Sequence, residues 1–147
     1  MLQPLRIGHV VLKVRDLDRS LAFYRDLLGF QVVSELSNVM IFLSAGRQNH
    51  HDLALLRVGA QAPSPIPAAV GLYHVAIQLA DWEAVRGAHA ILTARGLLKG
   101  AVDHGVSRSL YTTDPDGNEI ELYCDAPRSE WEGRVGEAMT VKPLVLD

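Results

Sequence analysis

A histidine leads a short alternating apolar run twice in this chain, and the repeat limits what the chain can fold into. Gly8-His9-Val10-Val11-Leu12-Lys13-Val14-Arg15-Asp16-Leu17 aligns with Tyr73-His74-Val75-Ala76-Ile77-Gln78-Leu79-Ala80-Asp81-Trp82. Apolar residues fall at every second position after each histidine: Val10, Leu12 and Val14, then Val75, Ile77 and Leu79. A period of two is that of a half-buried strand. Side chains alternate across a strand, so His9 shares its face with Val11 and Lys13, opposite the apolar set.

The repeat continues beyond the strands. After the first, the spacing predicts a helix over about Asp18–Leu28, capped by Asp18, with Leu21, Tyr24 and Leu28 inward and Gly29 as its stop. After the second, it predicts a helix over about Asp81–Arg95, capped by Asp81, with Trp82, Val85, His89 and Leu92 inward and Gly96 as its stop. His89 reads as a core or interface residue. Three strand candidates follow each helix: about Gln31–Leu36, Val39–Ser44 and Asp52–Val58, then about Leu98–Asp103, Ser109–Thr113 and Glu119–Tyr123. The order is strand, helix, three strands, twice. The fold expected is therefore α+β, two paired βαβββ modules at about 5–58 and 70–125 within one domain of 147 residues. The stretch 59–69, with Pro63, Pro65 and Pro67, is the linker. The tail 126–147 has little period and ends in the apolar run Val141–Val145, as a disordered segment or one packed on a partner does.

Composition removes several classes of function. A net charge of −3 with no basic run gives no footing for nucleic acid or an anionic membrane. No apolar stretch reaches spanning length. The single cysteine, Cys124, cannot form an internal disulfide and reads as a buried strand residue. With no long apolar core near Met1, the expected location is the cytoplasm.

His9 and His74 hold equivalent positions in the repeats, and Glu121 lies in the last strand of the second. Two imidazoles and one carboxylate form a facial triad. Such a set suits divalent iron and leaves positions open for substrate and oxygen. Glu119 and Glu121 share one strand face, opposite Ile120 and Leu122. Glu119 reads as a solvated strand end. The repeat also sets Asp52-Leu53-Ala54 against Glu119-Ile120-Glu121, which places Ala54 opposite Glu121.

Over about residues 5–125 this pattern resembles the vicinal oxygen chelate superfamily, which includes glyoxalase I, bleomycin-resistance proteins and extradiol dioxygenases. Within it, the run from Val102 to Glu121 looks like the signature of extradiol ring-cleaving enzymes. That run holds His104, then Leu110-Tyr111, then Asp114-Pro115-Asp116-Gly117, then the glutamate. Glu121-Leu122-Tyr123 and the residues after it to Trp131 look like the end of catechol 2,3-dioxygenase-type enzymes. The resemblance implies a metal site of His9, His74 and Glu121, most simply Fe(II), with Mn(II) or another divalent metal as the alternative. It implies a catechol-like aromatic diol and O2 as substrates. Glyoxalase I enzymes carry a fourth ligand, a glutamate, where this chain has Ala54, and a methyl group cannot ligate.

A catechol must lose protons to chelate through both oxygens, and a histidine titrates in the range that this needs. The resemblance assigns the acid–base role to His51, within His50-His51-Asp52-Leu53-Ala54. Strand alternation counted back from Ala54 favours His50 instead. The resemblance further implies that His104 and Tyr111 hydrogen-bond substrate or oxygen. Well-known extradiol enzymes of this type have four modules and this chain has two, so a homodimer or higher homo-oligomer is the expected source of the missing wall. The competing expectations are another metal-dependent reaction of the superfamily (lyase, isomerase or thiol transferase) and a non-catalytic ligand-binding protein.

Overall fold

The computed structural model describes residues 1–46 and 48–146. Arg47, and Asp147 at the end of the expected tail, lie outside the described residues. The chain divides into two compact units: Met1–Ala69 together with Asp114–Asn118, and Val70–Thr113 together with the chain from Glu119 onward.

In the first unit the elements run β1 (Val10–Val14), α1 (Leu17–Tyr24), β2 (Gln31–Leu36), β3 (Met40–Ser44) and β4 (Leu53–Arg57). They form a sheet of order β1-β4-β3-β2, in which β1 and β4 are parallel. The parallel pair needs a long crossover, and α1, β2 and β3 supply it. Leu12 and Val14 are buried while Val11 and Lys13 are exposed, the alternation expected of β1. Leu17, Leu21, Phe23 and Tyr24 of α1 are buried too, as are Leu43, Leu53 and Leu55 of the sheet.

The second unit repeats the order: β5 (His74–Gln78), α2 (Trp82–Ala94), β6 (Gly100–Asp103), β7 (Ser107–Thr113) and β8 (Glu119–Asp125). Its sheet runs β5-β8-β7-β6, again with the first and last strands of the module parallel. Val85 and Leu92 of α2 are buried, as are Leu110, Ile120, Leu122 and Cys124. The mixed α+β architecture of two βαβββ modules is thus the one expected.

The first helix differs from its expected bounds. Its cap is Asp16, not Asp18. Asp16 is extended at φ −141° and its carboxylate accepts from the Arg19 amide at 2.7 Å, so helix begins at Leu17. The helix ends at Tyr24, and turns carry the chain to Gly29, which takes a left-handed φ of 82°. Asp81 caps α2 as expected, accepting from the Ala84 amide at 2.9 Å. The tail also has structure. Two short helical turns, α3 (Arg128–Trp131) and α4 (Val135–Ala138), lead to β9 (Lys142–Pro143), which adds to the sheet beside β6. Among the described residues, no helix is long and apolar enough to cross a membrane.

The turn between β7 and β8 packs with the first unit rather than the second. Asp114 explains why. One carboxylate oxygen accepts from the amides of Asp116 at 2.9 Å and Asn118 at 2.8 Å, which fixes the turn. The other accepts from the Tyr24 hydroxyl at 3.0 Å and Asn118 Nδ2 at 2.8 Å. Asp116 accepts from the Arg15 amide at 3.0 Å and its guanidinium at 2.9 Å, and also pairs with Arg19. Asp114 and Tyr24 are both buried. Asp114→Ala is expected to destabilise the protein by about 2–4 kcal/mol in urea unfolding, because it orphans a buried hydroxyl and undoes the turn. The same contact makes stability sensitive to alkali. Burial, then the charge of Asp114, raises the Tyr24 phenol well above its ordinary range. The unfolded phenol loses its proton near pH 10, so this contribution is complete below that pH and is lost as pH rises beyond it.

Candidate functional site

Parallel pairing of β5 with β8 sets His74 opposite Glu119 and Ala76 opposite Glu121. Glu119 and Glu121 point to the same side, while Ile120 and Leu122 go into the core. The His74 ring consequently sits between two carboxylates of the next strand. Its Nε2 is 3.0 Å from Glu121 Oε2, and its Nδ1 is 3.6 Å from Glu119 Oε1. Glu121 is only 7% exposed, a costly place for a carboxylate without partners.

On the other flank of β8, Tyr111 of β7 pairs with Glu121. The Tyr111 hydroxyl donates to Glu121 Oε1 at 3.3 Å and lies 2.8 Å from His104 Nε2. A hydroxyl has one proton, so donating to Glu121 leaves its lone pairs for an Nε2–H of His104. Burial, then the charge of Glu121 and the bond to it, pushes the Tyr111 phenol up to about 12. His104 stands at the turn between β6 and β7, where its amide donates to the Ser107 carbonyl at 2.8 Å. The tail holds that turn from outside. The Thr140 amide donates to the His104 carbonyl at 2.8 Å. A Cβ on Gly105, which has a φ of 74°, would lie 2.0 Å from the Ala138 carbonyl oxygen. Only glycine admits so close a strap.

The first unit gathers a second set. The His9 ring centroid is 4.3 Å from that of His51 and 6.3 Å from that of His50. His51 also packs edge-on against Phe42 at 5.1 Å, and its Nδ1 is 2.6 Å from that of His50. Burial, then the neighbouring His9 and His50, lowers the His51 pKa. Asp52 pins the loop that carries both histidines. Its carboxylate accepts from Ser44 Oγ at 2.9 Å, the Ala45 amide at 2.9 Å and Asn49 Nδ2 at 2.7 Å. Burial works against the charge, yet these bonds hold its carboxyl below the usual range.

The two registers correspond. Val11 pairs with Ala54 as Ala76 pairs with Glu121, and Phe42 pairs with Ala54 as Tyr111 pairs with Glu121. Ala54 is thus the counterpart of Glu121, and it is fully buried.

Residues 6–122 match the family model described as the Glyoxalase/Bleomycin resistance protein/Dioxygenase superfamily. This chain belongs to that superfamily. Its relatives include a catechol-2,3-dioxygenase of Bacillus subtilis, 39% identical over 86% of this chain and 44% of that enzyme. A biphenyl-2,3-diol 1,2-dioxygenase of Rhodococcus globerulus is 35% identical over 95% of this chain and 75% of that protein. The chain therefore spans less than half of the first of these and three quarters of the second. Among solved structures, a lactoylglutathione lyase from Agrobacterium tumefaciens superposes with a TM-score of 0.62 at 29% identity, covering 82% of this chain and 94% of that one.

Of the residues that the superfamily resemblance singled out, the second unit brings together His74, Glu121, Tyr111 and His104, and the first brings His9 beside His51 and His50. Among the described residues, no three His, Cys, Asp or Glu side chains stand as a complete metal cage. The pair in the second unit nevertheless fits a metal. Two ligands about 2.1 Å from one ion and at a right angle across it lie about 3 Å apart, the separation of His74 Nε2 and Glu121 Oε2 at 3.0 Å. Two features escaped sequence reading. Glu119 is not a solvated strand end but a half-buried neighbour of His74. His50 and His51 precede β4, which starts at Leu53, so counting strand alternation back from Ala54 does not reach them.

Proposed function

We propose that this chain is a metal-dependent dioxygenase that opens catechol-like aromatic rings by extradiol cleavage, with His9, His74 and Glu121 as ligands of Fe(II), or of Mn(II) in its place. The observation that carries this reading is the hydrogen-bonded line from His104 through Tyr111 to Glu121, beside His74. Its residues are those that the extradiol signature marks. The two dioxygenase relatives support the same choice.

A divalent ion held by His9, His74 and Glu121 would supply the positive charge that acidifies catechol hydroxyls. The protein's own groups do the rest. His51 takes a catechol proton at an imidazole nitrogen, since its lowered pKa keeps it neutral and proton-accepting at neutral pH. Tyr111, with its phenol pushed up to about 12, acts as a hydrogen-bond donor and not as a base. His104 presents its Nε2–H to the Tyr111 hydroxyl, a donor at hand for an oxygen that gains charge.

Anaerobic loading with Fe(II), followed by oxygen uptake against a panel of catechols, tests the assignment. Uptake matched by a ring-opened product is the expected result. The lyase from Agrobacterium tumefaciens motivates a second reading, a glyoxalase-type reaction. The buried Ala54 at the counterpart of Glu121 disfavours it, because a fourth carboxylate ligand is missing there. No uptake with any catechol, combined with turnover of a hemithioacetal, would replace the first reading by the second.

A further inference from the structure

We infer that Glu119 is a positioning residue that sets the tautomer and orientation of His74 for metal binding. The inference rests on His74 being a ligand, as proposed above. An imidazole has two nitrogens on opposite edges, and a metal takes only one. The other must find an acceptor if the ring is to hold one tautomer and one orientation.

His74 shows what its second nitrogen faces. Nε2 meets Glu121, the more deeply buried carboxylate, with a side chain 10% exposed. Nδ1 is buried and, among the described residues, has no hydrogen-bond partner. The acceptor before it is Glu119 Oε1 at 3.6 Å, beyond hydrogen-bond length. The Glu119 side chain is 33% exposed and so has room to move. A shift of a few tenths of an ångström closes the bond. Parallel register puts Glu119 directly opposite His74, so the approach needs no change in the backbone. With Nδ1–H donated to Glu119, the lone pair of Nε2 is left on the side of Glu121. The two carboxylates then differ in role although they share a face: Glu121 ligates, and Glu119 orients the ligand beside it.

The test measures metal affinity by competition with a chelator, using Mn(II) and Zn(II), and reads the His74 tautomer by ¹⁵N NMR in the Zn(II)-loaded protein. Glu119→Ala is expected to weaken affinity by about 10–100-fold. The melting temperature of the metal-free protein should be unchanged, and the Nδ1–H signal of His74 should lose its hydrogen-bonded shift. Glu119→Gln should recover most of the affinity, since its amide oxygen still accepts Nδ1–H. Affinity within two-fold of wild type in Glu119→Ala, with the His74 signal unchanged, overturns the inference. So does complete loss of metal that Gln fails to restore, which would make Glu119 a ligand. His74→Ala is the control on the underlying reading: if it binds metal as tightly as wild type, His74 is not a ligand and that reading fails whatever Glu119 does.

Discussion

Glu121→Ala is expected to yield a folded protein that no longer retains a divalent metal ion. The side chain is almost wholly buried, with His74 Nε2 at 3.0 Å and the Tyr111 hydroxyl at 3.3 Å as its partners. Removing it takes away a proposed charged ligand, which goes beyond the roughly 10–100-fold cost of losing a supporting carboxylate. Metal content after gel filtration checks this. One equivalent of metal on the variant would sink the ligand assignment. A second readout is local. Part of the elevation of the Tyr111 phenol comes from the Glu121 charge and hydrogen bond, although burial contributes most. The Tyr111 ionisation should therefore move down in Glu121→Ala, and ultraviolet titration of metal-free protein would detect it.

His51→Ala should lower turnover by roughly 10²–10⁴ while metal stays bound, the usual worth of a positioned acid–base group. His50→Ala should cost far less. The two differ in surroundings. His51 packs against Phe42 and lies nearer to His9, while His50 is exposed. Burial first, and then the neighbouring histidines, lowers the His51 pKa from 6.5. A base with a lowered pKa keeps its proton-accepting form in more acid solution. The acidic limb of kcat/KM should then lie below the ordinary histidine range in wild type and vanish in His51→Ala. A larger loss in His50→Ala than in His51→Ala, with metal retained in both, would reverse the assignment.

The modules were legible because their signals are local. Val10, Leu12 and Val14 alternate within five residues, and Asp81 caps a helix that starts at the next residue. The misplaced cap of α1 shows the limit of local reading. Asp16 and Asp18 are both good caps by type, and only the extended backbone of Asp16 selects it. Of the proposed site residues, His74 and Glu121 stand out by their place in the repeat, and His104 and Tyr111 only by the resemblance to the extradiol signature. Their hydrogen-bond order was not, because it depends on which strands lie side by side.

Two βαβββ modules, histidines at matched strand entrances, a carboxylate at the matching point of the last strand and a methyl group at its counterpart, Ala54, are all legible in the order of the residues. Periodicity encodes these, since it fixes which face of a strand each side chain takes. Tertiary structure alone decided what meets across strands. Parallel register set Glu119 against His74, where an isolated strand would leave it in solvent. Burial turned the Asp114 turn into a partner of Tyr24, 90 residues away in sequence. The tail, with no period to read, closes over Gly105, where the absent Cβ leaves room for the Ala138 carbonyl. Pairings of this kind are set by non-local packing and register, which no local pattern records.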